Sequence, residues 1–305
     1  MTLFVGTDEA GYGPNLGPLV VAATVWESTA GADQADAGWT RAVAALGGMW
    51  GDSKKMFRGG DGFAALERGA LAGLACAGGG VPRSWTDLLA AVHAGDQPAA
   101  EWEPIVNRLG VPRENDATAC ATLAGEAVET LAAHGLRLVA VRCRIVQPRA
   151  FNAALTAGLN KSDLLSQVTL DLAAAAAATG EAVVWCDRHG GRRRYAPLVS
   201  RAFAAPLVQV EEETPERSAY RISGRACRIE FTVRGESRLP VALASMTAKY
   251  VRERAMEAFN TWWSGRAAGL VSTAGYPVDA LRWRGDAAAA VEASGVPWDD
   301  IWRRS

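Results

Sequence analysis

The sequence predicts an α/β fold whose sheet opens with an antiparallel pair of strands. Two Val-rich apolar runs, residues 3–7 and 19–26, flank a glycine-rich loop and predict that pair. Further along, residues 136–146 and 182–187 have strand patterns, and residues 161–178 between them have helical spacing. This alternation is typical of α/β proteins. No apolar run approaches the ~20 residues of a membrane span, so we expect a soluble protein without a membrane partner.

The first half of the chain contains mostly helical patterns. They predict a short helix at 40–46, a helix at 63–76 that ends at a glycine run, and a helix at 116–134 closed by a glycine. Residues 81–117 contain four prolines, and we interpret them as an insertion. The strand at 136–146 alternates polar and apolar residues, which indicates one buried face.

The second half alternates strands and helices. The helix at 161–178 can be capped by Asn160 or Ser162. The remaining predicted elements are a strand at 182–187, a strand at 206–213, a hairpin over 219–234, a helix at 241–263, a helix start at Val278 and a short helix at 286–294.

Composition limits the functions that the chain can have. A net charge of −1 argues against indiscriminate binding to polyanions, but basic patches occur at residues 54–58, 188–194 and 252–254. Five widely spaced cysteines predict reduced thiols and a cytoplasmic protein, and none of them has metal-ligand spacing. The chain has only four lysines, so each lysine is unusual for this sequence.

The candidate site begins with Asp8 and Glu9, which end the first apolar run ahead of the glycine-rich loop. Because neighbouring residues of a strand face opposite sides, these two acids can share a site only if the strand ends there. Asp187 ends a later apolar run in the same way. Each acid also has an ordinary interpretation: a solvated loop pair, a strand-end turn residue and, for Glu236, a helix-start acid. We interpret His189, which follows Asp187, as structural or solvent-exposed.

Five separated motifs resemble the ribonuclease HII family, the type 2 ribonucleases H of bacteria and archaea. They are Asp8-Glu9-Ala10-Gly11-Tyr12-Gly13-Pro14 with Gly17-Pro18-Leu19-Val20-Val21-Ala22-Ala23; Asp52-Ser53-Lys54-Lys55; Asp187; Gly235-Glu236 before Ala244-Ser245-Met246-Thr247-Ala248-Lys249; and Gly275-Tyr276-Pro277. Two positions depart from the family pattern. Tyr12 stands where the family usually has Arg, and Glu236 stands where it usually has Asp.

The resemblance implies a ribonuclease H-like fold: a mixed five-stranded sheet flanked by helices, in one catalytic domain over residues 1–305 with a helical extension from about residue 264. It also implies two Mg²⁺ or Mn²⁺ ions, which suit clustered carboxylates. The implied catalytic and metal-binding residues are Asp8, Glu9, Asp187 and Glu236. The implied substrate-binding residues are Gly11, Tyr12, Gly13, Lys54, Lys55, Ser245, Lys249 and Tyr276.

The implied activity is metal-dependent endonucleolytic cleavage of the RNA strand of RNA/DNA hybrids, with 5′-phosphate and 3′-hydroxyl products, by a monomer. Because Tyr12 replaces a cation, the sequence leaves open whether the chain cleaves at a single ribonucleotide embedded in DNA. Two alternatives stay open. One is a hybrid-binding protein whose cleavage is lost or changed, and the other is a ribonuclease H-fold nuclease with another substrate, such as branched DNA.

Overall fold

A computed structural model describes residues 1–31, 35–51, 62–92, 102–106, 108–178 and 180–304. Its strands are β1 (Thr2–Ala10), β2 (Leu19–Ser28), β3 (Leu136–Val146), β4 (Glu181–Asp187), β5 (Val208–Glu213), β6 (Arg217–Ile222) and β7 (Cys227–Thr232). They form a seven-stranded sheet in the order β3-β2-β1-β4-β7-β6-β5.

Helices cover the sheet. They are α1 (Ala35–Ala45), α2 (Gly62–Leu74), α3 (Trp85–Val92), α4 (Glu103–Val106), α5 (Ala117–Ala133), α6 (Pro148–Thr156), α7 (Lys161–Ala176), α8 (Ala196–Ala202), α9 (Leu239–Ser264) and α10 (Pro277–Ser294). A π-helical turn, Ala75–Gly79, continues α2, and 3₁₀ turns occur at Gly235–Ser237 and Trp298–Asp300. Among the described helices, none is both long and apolar enough to cross a membrane.

The sheet is mixed, as predicted. Strand β1 pairs antiparallel with β2 and parallel with β4, and β4 pairs parallel with β7. The expected count of five strands is wrong, because the hairpin formed by β6 and β7 is part of the same sheet. Ile229 and Phe231 of β7 are fully buried, which ties the hairpin to β4, and β5 then pairs with β6 at the edge.

Two apolar layers lie on the two faces of the sheet. Phe4, Trp26 and Trp185 pack on one face with α9 and the segment that contains α3. Val5 and Val184, which alternate with them along the strands, pack on the other face with α7 and α8. This alternation follows from the two-residue period of a strand and explains the apolar character of β1 and β4.

The segment 81–117 is packed into the protein where the structure describes it. Trp85, Trp102 and Val111 are buried in the layer that contains α9. Arg254 of α9 is fully buried and donates to the carbonyls of Leu109 (2.8 Å) and Gly110 (2.7 Å). The prediction of a basic surface patch at 252–254 is therefore wrong, because both arginines are buried and the Arg254 guanidinium binds the carbonyls of a neighbouring loop inside the protein.

Helix caps, helix boundaries and thiols differ in how well the sequence predicts them. Asn160, and not Ser162, caps α7 through a capping box with Asp163. Helices α6 and α8 were not predicted. The tail contains one continuous α10 in place of a helix start and a separate short helix. The five cysteines are free thiols, as predicted.

Close packing of α9 on β1 depends on Gly6, which lies two residues before Asp8. A Cβ atom at Gly6 would lie 2.2 Å from the carbonyl carbon of Pro240, in the first turn of α9. The Thr24 hydroxyl on β2 donates to the Pro240 carbonyl (2.7 Å) and fixes the same turn. This packing sets how far α9 stands from the end of β1.

We expect Gly6→Ala to lower the free energy of unfolding by about 1–3 kcal/mol, because an added methyl must push α9 off the strand. Urea denaturation measures this loss. Gly13→Ala is the matched control, since a Cβ at Gly13 meets nothing within 4 Å. Its effect on stability should stay below about 0.5 kcal/mol. Equal losses in both variants would contradict the packing argument.

Candidate active site

The first two acids of the candidate site lie inside β1 and not beyond its end. Asp8 pairs with Ala22 and Glu9 with Val21 before the strand ends at Ala10. The expectation that the strand stops at these acids is wrong, because the ladder with β2 continues past them. The two side chains therefore leave opposite faces of the sheet.

The surroundings of the Asp8 and Glu9 carboxylates agree with these opposite orientations. The Asp8 carboxylate is hydrogen-bonded by Ser245 on α9. On the other side, the charge of Glu9 acts on Tyr12: burial first, and then the Glu9 carboxylate, raise the pKa of the Tyr12 phenol. Glu9 is thus next to the glycine-rich loop, and Asp8 is next to α9.

Asp8 lies in an unfavourable place for a negative charge. It is 8% exposed. Burial, together with the charges of Asp187 and Glu236, raises its pKa to about 7, although hydrogen bonds from Ser245 and from the Glu9 N–H (2.8 Å) oppose the rise. Three carboxylates from distant parts of the chain therefore act on one another here.

The parallel pairing of β1 and β4 brings Asp187 to Asp8. Thr7 is aligned with Cys186, so the residues that follow them lie side by side at the same edge of the sheet. The Gly235 N–H donates to Asp187 Oδ1 (2.8 Å), which holds the loop before α9 against the end of β4. Glu236 comes next, and its charge reaches Asp8 from this loop.

The oxygens at this edge fit a hard divalent cation. They are carboxylate oxygens, which Mg²⁺ and Mn²⁺ prefer. Burial and then the neighbouring carboxylates raise the pKa of Asp8, and a bound cation would neutralise that negative charge. Within the described ranges, however, no three Asp, Glu, His or Cys side chains are already gathered as a metal site. The four-carboxylate ligand set, with Glu9 in it, stays a prediction.

The glycine-rich loop lies beside these acids. Gly11 has a φ of +84°, which favours glycine, while Gly13 is exposed. Tyr12 is half-buried, and its hydroxyl is hydrogen-bonded with Ser162 at the start of α7. Tyr276, which directly precedes α10, is 56% exposed. Gly13 and the Tyr276 ring are thus both accessible from solvent.

The remaining predicted residues fall in different places. Ser245 is buried and Lys249 is half-buried, one turn apart on α9. Lys54 and Lys55 lie outside the described residues, as does the rest of their motif. His189 is buried, and its Nδ1 lies 2.9 Å from the Ser166 hydroxyl, so of its two predicted ordinary positions the solvent-exposed one is wrong. Burial, and then the charge of Arg192, lower its pKa to about 3.

Sequence reasoning missed the groups that hold the loop. Arg303 donates to the carbonyls of Gly11 (2.7 Å) and Pro14, and Asn15 Nδ2 donates to the Arg303 carbonyl (3.1 Å). The Gly275 carbonyl accepts from the Asn15 N–H (2.8 Å). An arginine third from the end of the chain carries no local pattern that would reveal this contact.

Comparison with known proteins gives matches in structure only. No protein-family profile and no curated protein matches the sequence. Bst-RNase HIII in complex with Mn²⁺ gives a TM-score of 0.46 at 17% identity, over 99% of this chain and 66% of that chain. The ribonuclease HII solved with PCNA from Archaeoglobus fulgidus gives 0.44 at 14% identity, over 98% and 93%. The ribonuclease H2 from Pyrococcus horikoshii OT3 gives 0.50 at 13% identity, over 98% of this chain and 92% of that chain, and this match shows that the chain has a ribonuclease HII-like fold.

Proposed function

We propose that this chain is a divalent-metal-dependent ribonuclease H that hydrolyses the RNA strand of RNA/DNA hybrids. The observation that carries the proposal is the convergence of Asp8, Asp187 and Glu236 at the sheet edge, where burial first, and then the charges of Asp187 and Glu236, raise the pKa of Asp8. Carboxylates that lie close together in a buried place disfavour one another's ionised form, so their convergence favours a role that needs negative charge there. The ribonuclease HII-like fold supports phosphodiester hydrolysis as the proposed type of reaction.

In this proposal Asp8, Asp187 and Glu236 would hold the metal, while Glu9, on the other face of β1, lies beside the glycine-rich loop. Bound Mg²⁺ or Mn²⁺ would supply Lewis-acid stabilisation of the phosphodiester and lower the pKa of a water. Ser245 holds the Asp8 carboxylate in place by a hydrogen bond. The Gly235 N–H does the same for Asp187. These two contacts fix the direction in which the acids face.

In this proposal the predicted substrate-binding residues recognise the nucleic acid. Backbone around Gly11 and Gly13 would contact the ribose 2′-hydroxyl, the group that distinguishes RNA from DNA. Tyr276 would pack against a sugar through its exposed ring. Lys249, Lys54 and Lys55 would contact phosphates, which makes binding weaken as salt rises. Substrate duplex, metal and a monomeric state are all parts of this proposal.

A substrate panel tests the proposal. Purified protein is incubated with an end-labelled RNA/DNA hybrid, with DNA that contains one ribonucleotide, and with all-DNA duplex, each with Mg²⁺ or Mn²⁺ or with EDTA. We expect metal-dependent cutting of the RNA strand of the hybrid, with 3′-hydroxyl ends that a polymerase can extend. Binding of the hybrid without cutting in either metal would reject the enzyme in favour of a hybrid-binding protein. Equal cutting of hybrid and all-DNA duplex would reject the proposed substrate.

A further inference from the structure

Two buried arginines lie directly behind the glycine-rich loop. Arg303 is 1% exposed and Arg252 is 3% exposed. Arg252 donates to the carbonyls of Ala274 (2.9 Å) and Leu16 (3.5 Å), as Arg303 does to those of Gly11 and Pro14. Together the two side chains donate hydrogen bonds to three carbonyls of the loop from residue 11 to residue 16.

The packing between arginine and loop is close. A Cβ atom at Gly11 would lie 2.4 Å from Arg252 Nε, so only glycine lets this guanidinium reach the backbone. The Arg303 guanidinium also lies over the Phe151 ring, 4.9 Å from its centroid. Both arginines are thus held between the loop and the core and are not surface groups.

Among the described residues, acids compensate the charges of these arginines only weakly. Arg252 forms a long ion pair with Glu253 (3.8 Å). Arg303 has its Nε and Nη1 atoms buried without a hydrogen-bond partner among the described residues. Burial of a cation without a close anionic partner is costly, so stability alone does not account for this arrangement.

The last residues of the described chain carry Arg303 to the loop. The Arg303 N–H donates to the Asn15 carbonyl (2.7 Å), and Trp302 forms a bridge with Leu16. Asn152 of α6 accepts from the Arg304 N–H (2.8 Å) and donates to the Trp302 carbonyl (2.8 Å), which ties the tail to the core. The tail is therefore an element of the loop's structure.

We propose that Arg303, with Arg252, is a positioning residue that holds the Gly11–Leu16 loop in its substrate-binding form. The guanidinium groups turn the loop carbonyls inward and neutralise their partial negative charge, so these oxygens cannot face and repel the phosphates of a nucleic acid. The loop is then ordered before the duplex arrives, which reduces the entropy cost of binding. This inference rests on the proposed function, because it assumes that the loop contacts a nucleic-acid backbone.

Three variants test the inference: Arg303→Met, which removes the charge at similar length; Arg303→Lys, which keeps the charge but not the planar fork; and Arg304→Met as the matched control. Arg304 is the exposed neighbour of Arg303 and pairs only distantly with Asp299 (3.6 Å). Amide hydrogen exchange of residues 11–17 is measured without nucleic acid. The Kd for a fluorescent RNA/DNA hybrid is measured in EDTA, and kcat and KM are measured with metal.

We expect Arg303→Met to speed exchange of the loop about tenfold and to raise Kd and KM about tenfold, with kcat within about twofold of the wild-type value. Arg303→Lys should give an exchange rate, Kd and KM between those of Arg303→Met and the wild type. If Arg303→Met does not fold, the values for Arg303→Lys alone test the inference. Unchanged loop exchange, or faster exchange with unchanged Kd, would overturn the inference. If the wild type itself does not bind the hybrid, the proposed function fails first, and the exchange rates show separately whether Arg303 orders the loop.

Discussion

Asp8→Asn should lower turnover of an RNA/DNA hybrid by about 1,000-fold or more, which corresponds to about 4 kcal/mol of transition-state stabilisation. Asparagine keeps the shape of the side chain but removes the charge that the proposed metal site needs. The charges of Asp187 and Glu236 both act on Asp8, so this substitution removes the carboxylate that interacts with both of the other proposed metal ligands. Single-turnover cleavage at saturating Mg²⁺ and again at saturating Mn²⁺ measures the effect.

The same change should not weaken the fold. Burial and neighbouring carboxylates disfavour the ionised form of Asp8, since they raise its pKa. A neutral amide relieves that repulsion, so we expect the metal-free variant to unfold at the same urea concentration as the wild type or a higher one. A loss of activity without a loss of stability separates a role in the reaction from a role in folding.

Asp171→Asn is the matched control. Asp171 also has a pKa raised by burial, but it lies on α7 beside Arg144, in the groove between α7 and β3. Its variant should keep wild-type turnover within about twofold. If Asp8→Asn retains more than about a tenth of wild-type activity, then Asp8 is not a metal ligand and the proposed site is wrong.

Much of the sheet was predictable from the sequence, because period-two patterns and turn residues are local signals. The strand at 136–146 matches β3 at both ends, and the antiparallel pair near the start is present. The length of β1 was not predictable in the same way. Whether pairing continues through Asp8 and Glu9 depends on the ladder with β2, and a carboxylate pair gives no sign of it.

The candidate site was predictable only where a motif marks it. Asp187 ends an apolar run and Glu236 follows a glycine, and the structure brings their charges to Asp8. Arg303 is 292 residues away from Gly11, to which it donates. Contacts between such distant residues depend on the complete fold, so neither spacing nor composition indicates them.

Glu67 is another residue that the sequence does not mark and on which we expect much of the stability to depend. It is fully buried in α2 and accepts hydrogen bonds from the N–H groups of Arg113 (2.7 Å), Glu114 (2.7 Å) and Asn115 (3.0 Å). The Asn115 amide (3.0 Å) and the Tyr250 hydroxyl (3.0 Å) also donate to it. One carboxylate thus joins α2, the loop before α5 and the long helix α9.

Glu67→Gln should lower the free energy of unfolding by about 3–5 kcal/mol at neutral pH, because it removes the anion and turns an amide NH₂ toward backbone donors. Urea denaturation followed by circular dichroism measures the loss. Glu114→Gln is the matched control: Glu114 is an exposed neighbour in the same loop, and its change should cost less than about 0.5 kcal/mol. A loss below about 1 kcal/mol for Glu67→Gln would mean that the carboxylate does not hold these elements together.

Acid should reduce the difference in the free energy of unfolding between the wild type and Glu67→Gln. Burial alone would raise the pKa of Glu67, but hydrogen bonds from Arg113, Glu114, Asn115 and Tyr250 outweigh it and hold the pKa below its ordinary value of 4.5. A carboxyl group with a lowered pKa stabilises the folded state above its ordinary value, and that contribution is lost as the pH falls through the lowered value. Urea denaturation of both proteins at about pH 7 and about pH 3 should therefore give a smaller difference in acid, since protonated Glu67 resembles the amide. A difference that stays constant or grows on acidification would show that Glu67 does not act as a buried anion.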